Sequence, residues 1–186
     1  MGSKGLFLDR DGVVNLDTGY VYRREDFKFI DGYFDFVKLA CDLGYKVFIV
    51  TNQSGIARGL YSEKDFLRLS GWIKRKTLLN GGKIQDVYYC PHHPDEGKGD
   101  YKVACECRKP KSGMILQAAK DHDIELGASL LIGDKSTDIE AGRSAGLKIN
   151  ILFGASKVGA GNGEGLQSHV APGFQECQKV LRSLQR

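Results

Sequence analysis

The stretch Gly5-Leu6-Phe7-Leu8-Asp9-Arg10-Asp11-Gly12 decides how the chain is read. Leu6, Phe7 and Leu8 are apolar whichever way they point, as in a strand buried on both faces of a parallel sheet. Asp9 and Asp11 follow at once. Strand side chains alternate, so these two leave the backbone on the same side. Gly12 then permits a sharp turn. Two carboxylates so close repel, and one of them keeps its proton unless a cation is shared. A hard divalent cation with oxygen ligands resolves the conflict. One carboxylate is then free to attack phosphorus while the other moves a proton. A turn with two solvated acids is the plainer alternative, and the rest of the chain decides between them.

Outward from this strand, apolar runs alternate with helix-period segments. Strands are predicted at residues 5–8, 46–51, 86–89, 129–132 and 148–152. A helix is predicted over residues 33–43, with Phe34, Val37, Ala40, Cys41 and Leu43 on one stripe, closed by Gly44. Ser62-Glu63-Lys64-Asp65 reads as a capping box opening a second helix through Phe66, Leu69, Trp72 and Ile73. Residues 112–123 and 137–145 give two more, and residues 174–184 suit a terminal helix. This rhythm predicts an α/β fold, a doubly wound parallel sheet with helices on both faces. Ligands of such sheets bind beyond the carboxyl ends of the strands. Two stretches break the rhythm: residues 90–110, long and aperiodic, and the glycine-rich residues 154–165, expected to be mobile.

With 186 residues, of which 41% are hydrophobic, the chain suits one domain spanning residues 1–186, without a large cap domain. A net charge of +4 is too mild to argue for nucleic acid. No apolar stretch reaches membrane-spanning length, and no signal peptide precedes the first strand. Five cysteines, an odd number, argue for a reducing, cytoplasmic location and against a disulfide framework. Cys41 sits on the apolar stripe and is expected in the core; Cys177 carries no functional signal. With no exposed apolar stripe evident, a monomer is expected.

Further polar residues collect at the predicted sheet edge. After the second strand comes Thr51-Asn52-Gln53-Ser54-Gly55, a hydroxyl and backbone N–H groups suited to a phosphate cradle. After the fourth comes Gly133-Asp134-Lys135-Ser136-Thr137-Asp138. Asp134 supplies another carboxylate for a cation. Asp138, one helical turn on, suits either the water ligands of that cation or the N-terminus of its helix. Arg108-Lys109-Pro110 brings an ammonium ahead of the third helix.

These four segments, in this order, resemble the haloacid dehalogenase superfamily of phosphotransferases over roughly residues 5–150. The resemblance implies that Asp9 is the nucleophile and Asp11 the acid and base. It implies that Thr51 and Lys109 stabilise the phosphoryl oxygens. Mg²⁺ is then held by the Asp9 carboxylate, the Asp11 backbone carbonyl and Asp134, with Asp138 behind.

The aperiodic loop has its own chemistry. Cys90, Cys105 and Cys107, with an imidazole from His92 or His93, make a closed tetrahedral zinc site. Zinc would tie down a loop without a core and thereby fix Arg108 and Lys109. Together, this loop and residues 51–59 resemble the heptose 1,7-bisphosphate 7-phosphatase family within the superfamily. That resemblance implies His92 as the fourth zinc ligand and a small sugar bisphosphate as substrate. It also implies a place in nucleotide-activated heptose synthesis for surface polysaccharide. Its substrate contacts fall on Asp9, Arg10 and Asp11, on Asp17, Thr18, Gly19 and Tyr20, and on Thr51, Asn52, Gln53 and Ser54. Arg108, Lys109 and Lys135 complete them, and Arg108 suits a second phosphate. The nearest rival is a histidinol-phosphate phosphatase, whose amine substrate would prefer acids to Arg108. A non-catalytic sugar-phosphate-binding protein is the alternative of another class.

Overall fold

The computed structural model describes residues 2–154 and 167–185. Six strands form one sheet: β1 (Lys4–Leu8), β2 (Tyr45–Asn52), β3 (Ile84–Cys90), β4 (Leu130–Gly133), β5 (Ile149–Phe153) and β6 (Gln167–Ala171). Their spatial order is β3-β2-β1-β4-β5-β6, and every neighbouring pair is parallel. The helices are α1 (Tyr33–Asp42), α2 (Ser54–Ala57), α3 (Glu63–Leu79), α4 (Gly113–His122), α5 (Ser136–Ser144) and α6 (Phe174–Ser183).

The two-residue period sorts the strand side chains between two cores. Leu6, Leu8, Val47, Ile49, Leu130, Ile132, Ile149 and Ile151 face one layer, closed by α1, α3 and α6. Phe7, Phe48, Val50 and Leu131 face the other, closed by α4 and α5. The doubly wound α/β architecture expected from the apolar runs is therefore the observed one, and the described residues contain no cap domain. No helix among them is long and apolar enough to cross a membrane.

Three expectations change. The buried stripe of α1 is Tyr33, Phe36, Val37 and Ala40, while Phe34 and Cys41 are only partly covered. The stripe is rotated because Tyr33 turns its hydroxyl onto Thr77 at 2.9 Å under α3. Cys41 is not core: its sulfur meets the Lys83 N–H at 3.3 Å near the surface. The sixth strand was not expected. Gln167-Ser168-His169-Val170-Ala171 has no strand periodicity of its own, and its conformation comes from pairing with β5. Residues 155–165 of the glycine-rich run lie outside the described residues.

The strand order reverses direction between β1 and β4. Leu8 pairs with Ile132, and the Asp9 N–H donates to the Ile132 carbonyl at 2.9 Å. This topological switch brings Asp9 and Asp134 out side by side, where open α/β sheets bind their ligands.

Candidate active site

A cleft of about 410 Å³ opens over the carboxyl ends of β1, β2 and β4. Asp9 lies on its floor, only 6% exposed. Lys109 arrives from the loop before α4, a hundred residues away in sequence, and is 4% exposed. Its ammonium donates to Asp9 Oδ1 at 2.7 Å and to the Val50 carbonyl at 2.8 Å, and sits 2.5 Å from Asp138 Oδ1. Burial works against the Lys109 charge, but Asp9 and Asp138 outweigh it and hold the ammonium above its ordinary pKa.

The backbone of Lys109 is clamped separately. Asn52 donates from its amide to the Lys109 carbonyl and accepts from the Lys109 N–H, each at 3.0 Å. Asn52 borders the cleft, but its amide is committed to this clamp rather than free for a substrate.

Carboxylates outnumber cations on this floor. Oxygens of Asp9, Asp134 and Asp138 gather within 4.8 Å of one another. Burial, the Asp9 charge and a hydrogen bond shared with Asp9 push Asp134 up to about 7. Burial raises Asp9 as well, with Asp138 adding to it, and Lys109 does not fully offset them. Asp134 Oδ1 is buried without a hydrogen-bond partner. Gly12, at φ 94°, passes so close that a Cβ there would run into the Asp134 carboxylate. An excess of buried negative charge with an unpartnered oxygen is what a hard divalent cation fits.

Asp11 and Asp138 each have partners of their own. The Asp11 carboxylate does not join this cluster. Arg10 grips it from the side, Nη2 at 2.8 and 2.7 Å from its two oxygens and Nε at 3.1 Å from Oδ2. The Asp9–Asp11 repulsion foreseen from the sequence is thus relieved by a neighbouring guanidinium. Asp138 uses Oδ1 for Lys109 and Oδ2 for the Lys135 N–H at 3.0 Å, so it fastens α5 to the ammonium.

Arg10 in turn is 1% exposed, donates to the Val21 carbonyl at 2.8 Å and lies over the Phe66 ring. Its side chain supports Asp11 from below and does not face the cleft. Thr51 and Gln53, both 1% exposed, sit where β2 ends, and Ser54 begins α2. On the opposite wall Asp17, Gly19 and Tyr20 border the cleft, whereas Thr18 is exposed outside it. Lys135 reaches across to Asp17 at 3.4 Å and stands 3.7 Å from Asp134. Arg108 borders the mouth and donates to the His92 carbonyl at 3.3 Å.

The cysteine loop closes on itself beside this wall. Cys90 is the last residue of β3, so one ligand is anchored to the sheet. The Cys105 sulfur lies 3.4 Å from Cys90 and 3.2 Å from Cys107, and His92 Nδ1 lies 3.4 Å from Cys107 and 3.8 Å from Cys90. Hydrogen bonding from Cys90 first, then from Cys105 and His92, pulls the Cys107 thiol down to about 5. Three sulfurs and one ring nitrogen at these spacings fit a tetrahedral zinc ion. The structure also separates the two imidazoles. His93 Nδ1 points away and accepts the Asp95 and Glu96 N–H groups at 3.3 and 3.1 Å.

Two residues of this architecture escaped the sequence reading. Asn15, fully buried, donates to Asp11 Oδ1 at 3.0 Å. A polar residue directly after Val13-Val14 is the signal that marks it. Tyr61 meets Gln53 at 2.6 Å, a contact that no local pattern announces.

Comparison with known proteins agrees with this geometry. A family model described as HAD-hydrolase-like matches residues 106–176. The chain is 45% identical over 184 residues to a D-glycero-beta-D-manno-heptose-1,7-bisphosphate 7-phosphatase of Haemophilus influenzae, covering 99% of this chain and all of that one. It is 53% identical over 153 residues to a D-glycero-alpha-D-manno-heptose-1,7-bisphosphate 7-phosphatase of Burkholderia mallei, covering 82% and 81% of the two. A crystal structure of D,D-heptose 1,7-bisphosphate phosphatase from B. bronchiseptica, complexed with magnesium and phosphate, superposes with a TM-score of 0.82 at 28% identity, covering 97% and 98%.

Proposed function

The chain belongs to the HAD-like phosphatases, in the family of heptose bisphosphate phosphatases, and from that premise we propose that it removes the 7-phosphate of D-glycero-D-manno-heptose 1,7-bisphosphate. The observation that carries this reading is the Asp9–Lys109 contact on the cleft floor. It sets a buried carboxylate and an ammonium together where a phosphoryl group would enter.

Asp9 attacks phosphorus in line. The bond from phosphorus to the sugar oxygen breaks as the Asp9–phosphorus bond forms, and Asp11 gives the leaving oxygen its proton. Asp11 then takes a proton from the water that attacks the aspartyl phosphate, releasing inorganic phosphate and restoring Asp9. Thr51 and Lys109 hold the equatorial oxygens, and four donors from Arg10, Asn15 and Gln53 keep Asp11 oriented. Mg²⁺ held by Asp9, the Asp11 carbonyl and Asp134 would supply the positive charge that lets a dianionic ester approach a carboxylate. Cys90, His92, Cys105 and Cys107 would hold zinc in a purely structural role, fixing the loop that delivers Arg108 and Lys109. Arg108 and Lys135 at the mouth suit the second phosphate of a bisphosphate. The product, heptose 1-phosphate, is ready for nucleotide activation.

The test is phosphate release with Mg²⁺ from both anomers of the heptose bisphosphate, set against histidinol phosphate. Faster turnover of a heptose bisphosphate supports the reading. Equal or faster turnover of histidinol phosphate overturns the substrate assignment.

A further inference from the structure

Gln53 borders the cleft but is only 1% exposed, and its amide makes three hydrogen bonds to the protein. Its Nε2 donates to Asp11 Oδ2 at 3.0 Å and to Thr51 Oγ1 at 2.8 Å, while its Oε1 accepts from the Tyr61 hydroxyl at 2.6 Å. An amide has the same shape either way round, so something must decide which end faces Asp11. The Asp11 carboxylate, which only accepts, draws the NH₂ end toward itself, and the phenol anchors the oxygen at the far end. We propose that Tyr61 is a positioning residue that anchors the far end of the Gln53 amide, holding its Nε2 against Asp11 and Thr51 and leaving the Thr51 proton free for a phosphoryl oxygen. The inference rests on the proposed roles of Asp11 and Thr51 and adds Tyr61 to them.

The chemistry follows from donor counting. Thr51 has a single hydroxyl proton. Because Oγ1 accepts from Gln53, that proton remains available toward the cleft that Thr51 borders. With the amide reversed, Oε1 would face the Asp11 carboxylate, acceptor against acceptor, and would draw the Thr51 proton inward. Asp11 therefore sets which way the amide points, and Tyr61 is placed to hold it there. Its ring is 7% exposed, stacks on Tyr22 with centroids 5.2 Å apart, and presses so closely on Gly55 that a Cβ there would strike it. Burial pushes the phenol up to about 12, so it stays a donor at neutral pH.

Tyr61→Phe removes only the hydroxyl. The expected result is a fall in kcat and a weaker affinity for inorganic phosphate with Mg²⁺, each about fivefold, the worth of one neutral hydrogen bond, with the unfolding midpoint nearly unchanged. Phosphate affinity is read by calorimetry, so this arm does not depend on which sugar ester the enzyme prefers. In a Gln53→Met background, Tyr61→Phe should have no further effect on either quantity, because the phenol acts only through the amide. Overturning results are an unchanged phosphate affinity in Tyr61→Phe, or equal losses with and without Gln53. Failure of the substrate assignment would instead show as wild-type preference for another ester, with the Tyr61→Phe ratio intact.

Discussion

The Lys109 ammonium lies 2.5 Å from Asp138 Oδ1 on the buried floor of the cleft, and the other Asp138 oxygen caps the first turn of α5. One carboxylate thus joins a helix start to the ammonium that faces Asp9. Removing a partner from a buried ion pair leaves the other charge uncompensated, at a cost of about 3–5 kcal/mol. Asp138→Ala should lower unfolding stability by about that amount and kcat by at least about tenfold. Denaturant unfolding and steady-state kinetics check both, and a variant normal in stability and turnover would contradict the clamp.

Asp9→Asn keeps the shape of the side chain and removes its capacity to form an acyl phosphate. Turnover should disappear in phosphate-release assays while the fold, read by circular dichroism, persists. Retained activity would take the nucleophile role from Asp9.

The pH dependence of the metal-free protein follows from Asp134, raised to about 7 from an ordinary carboxylate value of 3.8. Between those values the native protein keeps a proton that the unfolded chain has released. Stability therefore falls as pH rises from about 4 to about 7. Mg²⁺ competes with that proton for the same oxygens. Added Mg²⁺ should accordingly raise the thermal midpoint more at about pH 7.5 than at about pH 5. An equal rise at both would place the cation elsewhere.

The two adjacent histidines should part company. His92→Ala should lower bound zinc, measured by elemental analysis, well below about one ion per chain. His93→Ala should leave zinc in place, since that ring only caps the turn at Asp95 and Glu96. Zinc lost from His93→Ala instead would reverse the ligand assignment.

Asn52→Leu frees both backbone groups of Lys109. If Asn52 works by holding Lys109, kcat should fall by about tenfold with KM little changed. A rise in KM at constant kcat would return Asn52 to the role of a substrate contact.

The sequence alone determined the doubly wound sheet, because apolar runs and amphipathic stretches are local patterns set by the strand and helix periods. It likewise determined which carboxylates and thiols are available, since Asp9, Asp134 and the three clustered cysteines stand at recognisable spacings. Only the tertiary structure decided how they are partnered. Arg10 turning onto Asp11, Asn52 clamping Lys109, Asp138 choosing the ammonium and His92 prevailing over His93 are contacts made across up to 57 residues or by rotamer choice, and no local period encodes them. The sixth strand belongs with these, because Gln167–Ala171 takes its conformation from β5 beside it rather than from its own residues.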